Sequence, residues 1–226
     1  MKAETFGALP GRLSLVVDGS GASVFAGILK ADGQWVAQIQ QKEAPLEGLF
    51  PAVEAVLYAA QVEISQIQNF IYCEGPGSVL GLRLGAMAIQ TWGHLSGARV
   101  RYFAFNSLEL MASLILSDTP ATNRALLISD WKKDVWNSIL IEEGERGSIK
   151  TIDDRTVNDW SAGPLFYLPQ RKGWRQIPEN ALTLEYSPHR LSEVMELLKE
   201  TKKIELYASA MNVFQKWVPL RHRATD

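Results

Sequence analysis

Gly75-Pro76-Gly77-Ser78-Val79-Leu80-Gly81-Leu82-Arg83-Leu84-Gly85 joins a short apolar run, residues 69–72, to a segment that carries no formal charge from Leu84 to Gly93. That order reads as a strand, a glycine-rich turn and a helix. Such a turn has two physical uses. Its N–H groups and the helix N-terminus can hold a phosphate, or its small residues can let the helix pack closely on another segment. The spacing does not fit a dinucleotide fingerprint, because three residues and not two separate Gly77 from Gly81. It does not fit a Walker A loop either, since no Lys-Ser or Lys-Thr follows the last glycine. Ser78 is placed to cap the helix, and it lacks the Gly-x-Ser-x-Gly elbow of a nucleophile.

Upstream, residues 13–17 form a buried strand ending at Asp18, and Gly19-Ser20-Gly21 turns the chain. Residues 23–29 and 35–40 give two more strands around the Asp32-Gly33 hairpin signal. Residues 46–60 form a helix, with Leu46, Leu49, Phe50, Val53, Leu57 and Ala60 expected on its core stripe. Downstream, residues 99–103 form a strand, and Asn106 opens a helix with Glu109 three positions on, a capping-box pattern. At Ala125 the opening pattern starts again: a strand over 125–129 ending at Asp130, a strand over 135–141, a turn at Glu143-Gly144, and a strand over 148–152. Asp130 lies 112 positions after Asp18, and Gly144 lies 111 after Gly33. A duplicated β-meander follows, with lobes at 1–118 and 119–226, a boundary near Thr119-Pro120-Ala121, and the last residues returning to the first lobe. The second lobe adds strands over 165–168 and 182–186. A helix capped by Ser187-Pro188 and running to about 199 completes it.

The 226 residues carry a formal charge of -2, so neither nucleic acid nor an anionic membrane is demanded as a direct partner. One cysteine, Cys73, allows no internal disulfide and suits a reducing compartment. Residues 1–12 lack a signal-peptide core, and no run approaches the length of a membrane span, so a cytoplasmic protein with no membrane contact is expected. His94, His189 and His222 are too dispersed for a ligand cluster, so no metal site is expected. Cys73 reads as a small buried hydrophobe.

Gly-Pro-Gly-Ser-x-x-Gly-Leu-Arg-x-Gly resembles the signature of the TsaB (YeaZ) family, within the Gcp-like, peptidase M22-like superfamily. Other segments follow in the family's order. Leu15-Val16-Val17-Asp18-Gly19-Ser20 resembles its opening strand and Asp-Thr-Ser, and Asn106-Ser107-Leu108-Glu109 its Ser-Ser-Leu-Glu helix start. Asp130 to Trp136 resembles its second corner, and Pro219-Leu220-Arg221-His222-Arg223 its closing motif. The chain departs at Val79-Leu80, where the family has Phe-Thr, and lacks the His-Ser/Ala-Glu common before the first helix, so it is a divergent member. The resemblance implies an α/β fold of two RNase H-like lobes in the actin-like (ASKHA) arrangement. It also implies a non-catalytic scaffold that pairs with a TsaD-like catalytic subunit. That subunit, with a TsaE-like ATPase, installs threonylcarbamoyl on a tRNA adenosine, so tRNA is met only through the complex. The catalytic relative's His-x-x-x-His motif is absent here, and no catalytic residue is expected in this chain. Where actin-like ATPases hold nucleotide, Asp18, Ser20, Gly75, Gly77 and Ser78 are the candidate ATP or ADP contacts, with ATP or ADP bound at the complex. The rival reading is a small nucleotide-dependent enzyme of the same fold, kinase-like or peptidase-like.

The two helices carry a separate argument. A helix covering a sheet from outside shows one apolar stripe and a charged back. Here Ala52, Ala55, Val56 and Ala59 form a second apolar face on the first helix, and Arg83, Leu84, Met87, Ala88 and Trp92 mark the second. These residues are the expected partner interface, covered by a second copy in isolation and by the catalytic subunit in the complex. Burial beneath the second lobe is the competing explanation.

Overall fold

The computed structural model describes residues 13–96, 100–169 and 176–207. Arg99, His222 and the Pro219–Arg223 motif lie outside the described residues.

The opening meander forms as β1 (Leu13–Asp18), β2 (Val24–Lys30) and β3 (Trp35–Gln41), each antiparallel to the next. Every β1 residue after Leu13 is buried, as a continuous apolar run requires of a strand covered on both faces. Leu15 and Val17 face one core, and Val16 faces the other. Then α1 (Pro45–Ala60) leads to β4 (Asn69–Gly75), parallel to β1, and α2 (Val79–Leu95) to β5 (Arg101–Asn106), parallel to β4. The helix α3 (Ser107–Asp118) follows without a loop. Asn106 caps it, accepting from the N–H groups of Leu108 (3.0 Å) and Glu109 (3.3 Å). The Glu109 carboxylate pairs with Lys199 (3.1 Å) and Arg146 (3.5 Å).

The second half repeats this plan. β6 (Arg124–Lys132) and β7 (Val135–Glu142) form the hairpin, and two short strands, β8 (Glu145–Arg146) and β9 (Lys150–Asp153), share the far side of β7. A five-residue helix, α4 (Asp154–Asn158), precedes β10 (Leu165–Leu168) and β11 (Ala181–Thr183), parallel to β6 and to each other. Both sheets thus run parallel, parallel, first strand, second, third. The first reads β12-β5-β4-β1-β2-β3 and the second β11-β10-β6-β7-β8. The repeated meander expected from sequence is thus present in two lobes, RNase H-like as the family resemblance implied. The extra strand, β12 (Lys199–Thr201), brings the chain back to the first sheet, antiparallel to β5.

One α-helix expected from sequence is absent. Residues 188–193 and 195–197 are 3-10 helices, followed by β12. The cause is the spacing of the buried side chains: Pro188, Leu191, Val194 and Leu197 recur every third residue. A three-residue period suits the 3-10 helix, whose i and i+3 side chains eclipse. The bonds Val194 N–H to Leu191 O and Leu197 N–H to Val194 O have the matching span.

The sheets share one inner core, and each has a smaller one on its outer face. α3 lies between them with Leu108, Leu110, Met111, Ala112, Leu114 and Ile115 all buried, in one cluster with Val16 and Phe105 of the first sheet and Leu127 and Ile139 of the second. The helix buried beneath the second lobe is therefore α3. α1 and α2 cover the opposite face of the first sheet, with nothing beyond them in the chain's described residues.

Candidate functional site

The ends of β1 and β4 meet the start of α2, and this corner gathers Asp18, Ser20, Gly75, Gly77 and Ser78. The two turns pack directly on each other. A Cβ on Gly77 would stand 2.4 Å from the Ser20 carbonyl oxygen, and one on Gly81 2.0 Å from that of Gly19. Those glycines are needed for close approach. Two N–H groups of this corner are engaged within the chain: Ser78 N–H donates to Ser20 O (2.7 Å) and Leu82 N–H to Ser78 O (2.9 Å). Ser78 caps α2 as expected, accepting from Gly81 N–H.

Asp18 does not lie open at this corner. It is buried, and its carboxylate accepts from Ser20 N–H (2.7 Å) and from the hydroxyl of Tyr186, which arrives from the second lobe. Burial pushes the Asp18 carboxyl above its ordinary range, against the lowering effect of the Tyr186 and Ser20 hydrogen bonds. Burial, with the nearby Asp18 charge, pushes the Cys73 thiol up, and the same two causes push the Tyr186 phenol up. Between the lobes a cavity of only about 10 Å³ remains beside Ser20, Gly21 and Tyr186. Asp18, Ser20, Gly75, Gly77 and Ser78 are thus brought to one corner, and Tyr186 closes its Asp18 side. The signal for Tyr186 is absent from local sequence, because 168 positions separate it from Asp18. The second corner repeats the arrangement: buried Asp130 accepts from Tyr167 Oη at 3.0 and 3.1 Å.

The outer helix face has to be redrawn. Ala52, Val56 and Ala88, expected at the interface, are 0%, 2% and 5% exposed. They pack inward with Leu15, Val17 and Phe70. Leu46 and Phe50, expected in the core, are 61% and 50% exposed. On α1 the sheet lies on the side of Pro45, Gly48, Leu49, Ala52, Val53 and Val56, because small residues there let the helix settle close to the strands. The remaining interface candidates lie outside or at the rim: Ala59, Arg83 and Met87 are exposed, and Ala55, Leu84 and Trp92 are half-buried. Phe50 meets Trp92 edge to face, with ring centroids 5.9 Å apart, bridging α1 and α2. With Tyr58, Val79, Leu80 and Leu95 the two helices present a broad apolar surface, larger in kind than the scattered apolar residues of ordinary surfaces.

Among the described residues, no three or more His, Cys, Asp or Glu side chains are placed to hold a metal ion. No helix among them is long and apolar enough to cross a membrane.

Residues 41–129 match the family model described as TsaD, tRNA N6-adenosine threonylcarbamoyltransferase. This stretch includes α1, α2, α3 and the glycine-rich turn. No curated protein matches the chain in sequence. In structure the chain is similar to YeaZ from Pseudomonas aeruginosa, with a TM-score of 0.59 and 19% identity over 82% of this chain and 91% of that one. It is also similar to a second Pseudomonas aeruginosa structure, described as an uncharacterized protein with similarity to peptidase YEAZ. There the TM-score is 0.56 and identity 21%, covering 78% of this chain and 84% of that one. The chain therefore has the YeaZ fold, at low sequence identity.

Proposed function

We propose that this chain is a non-catalytic partner subunit in tRNA N6-threonylcarbamoyladenosine formation, pairing through the outer face of α1 and α2 with an actin-like catalytic subunit of the TsaD kind. The observation that carries the proposal is the apolar outer surface of two long helices, centred on Phe50, Leu80 and Met87, in a chain whose first sheet is already covered on both faces by its own elements. The match of residues 41–129 to the TsaD family, the stretch that supplies those helices, supports the same reading. So does the closure of the Asp18 corner, where Tyr186 bonds Asp18 and a cavity of only about 10 Å³ lies beside it. In this reading a second copy of the chain covers the helices when the partner is missing, and a TsaE-like ATPase and tRNA join through the catalytic subunit.

The test mixes the purified chain with a catalytic relative that carries the His-x-x-x-His motif. Light scattering after size exclusion should give a one-to-one complex, and threonylcarbamoylation of tRNA should require both proteins. The chain alone should not turn over ATP. ATP hydrolysis that follows the chain through several columns and disappears in Asp18→Ala, with no complex formed, would replace this reading by a nucleotide-dependent enzyme.

A further inference from the structure

The Asp18 corner is closed by a side chain on a short connection between the second sheet and the turn at Pro188. The last ladder bond of the β11 segment is Leu184 N–H to Tyr167 O (2.8 Å), and the next element begins at Pro188. Tyr186 sits between, half-buried, with its ring against Gly21, where an added Cβ would lie 3.7 Å from Tyr186 Cδ1. Its hydroxyl crosses to the first lobe and donates to Asp18. Beneath it the cavity of about 10 Å³ is barely the space of one water.

The walls of this corner do not depend on Tyr186. The Asp18–Ser20 turn is held by its own hydrogen bond, the Gly77–Ser78 turn by its bond to Ser20, and the lobes by the core around α3. We propose that Tyr186 is a gate, which seals the interlobe cleft over Asp18, Ser20 and Cys73 and opens a solvent path to them by side-chain rotation, without movement of the lobes. Closure is favoured, and opposed contributions keep the open position accessible. Closure gains ring burial and a hydrogen bond to a carboxylate. Opening returns that buried carboxylate to water. A partly exposed tyrosine needs to turn about only two bonds to reach solvent. The gate does not depend on the proposed partner role and operates in the isolated chain.

Cys73 makes the gate measurable. It is the chain's single cysteine, it is buried, and its thiol sits against Asp18, Ser20 and Tyr186. Alkylation of Cys73 by iodoacetamide is followed in wild type, Tyr186→Phe and Tyr186→Ala. A pH series separates access from a change in thiol ionisation, and sub-denaturing urea separates local from global opening. Tyr186→Ala should react at least tenfold faster than wild type. Tyr186→Phe keeps the ring and loses the hydroxyl, and should fall between them. All three rates should be flat in low urea. Wild-type reactivity in a folded Tyr186→Ala overturns the gate, and so does an acceleration with the urea dependence of complete unfolding. Should Tyr186→Ala fail to fold, Tyr186→Phe decides: several-fold faster labelling supports the gate and an unchanged rate overturns it.

Discussion

Met87 and Ala88 are neighbours in sequence and should respond to one substitution in opposite ways. Met87 is 66% exposed on the outer side of α2, and Ala88 is 5% exposed against the first sheet. Fully burying a methionine is worth about 1.5–3 kcal/mol, so covering the exposed two-thirds of Met87 with a partner contributes about 1–2 kcal/mol. A glutamate there forfeits that and places a carboxylate at a desolvated contact, at a cost of several kcal/mol more. Association of Met87→Glu should therefore weaken by about 4 kcal/mol, roughly a thousandfold. The isolated fold should change by no more than about 0.5 kcal/mol, as for other exposed positions. Ala88→Glu drives its carboxylate into the layer that holds Leu15, Val17, Val53 and Ile89. The cost of several kcal/mol there falls on a total stability of about 5–15 kcal/mol, and the melting temperature should drop by about 10 °C. Light scattering against the catalytic relative, with calorimetry of each variant alone, separates the two. A Met87→Glu protein that melts several degrees lower yet associates with wild-type affinity would refute both the burial assignment and the docking face.

Three further outcomes follow from the corner and the caps. Burial raises the Asp18 pKa, so the folded chain holds that proton more tightly than the unfolded one. The stabilisation is complete below the ordinary aspartate pKa and is lost as pH rises through the raised folded value. Asp18→Asn should therefore raise the urea midpoint at neutral pH, with the advantage over wild type vanishing in acid. Gly81→Ala should destabilise by about 3 kcal/mol, since its Cβ would meet Gly19 O at 2.0 Å and Pro45 Cγ at 2.8 Å. Gly85→Ala, with nothing nearer than 3.7 Å, should be neutral or stabilise by up to about 1 kcal/mol through helix propensity; urea titration of both variants checks the contrast. Asn106→Ala should cost about 1–2 kcal/mol by leaving the first N–H groups of α3 uncapped, read as a lower melting temperature.

The two lobes were legible because their signals are local and repeated: an apolar strand, an acid at its end and a glycine hairpin, at nearly constant offset. The inward face of α1 was not. Its apolar residues form two stripes at helical spacing, one through Leu46, Phe50 and Leu57, the other through Ala52 and Val56. Periodicity gives both without saying which meets the sheet. Size would have favoured Phe50 for the core, but the tight fit over β2 and β3 selects the small residues. The Asp18 corner was assembled in sequence by motif, and what closes it was not, because Tyr186 is brought there by the pairing of β10 and β11. The segment after Ser187 misled because its start signals suit any helix. Only the three-residue spacing of Leu191, Val194 and Leu197 distinguishes the tighter form.

The return of the chain to its first sheet bears on how the protein is made. β5 ends at Asn106, and its neighbour on that side, β12, begins at Lys199. At the usual elongation rate of about 5–20 residues per second, roughly five to twenty seconds of synthesis separate the two. During that time the nascent first lobe holds β5 with one row of peptide groups unpaired, and α3 with its second apolar side waiting for β6 and β7. An unpaired edge beside exposed apolar surface is what strand-to-strand aggregation exploits. The ribosome-bound intermediate is thus the chain's most vulnerable state, and slow translation of its second half should lower the yield of soluble protein even where the finished fold is stable.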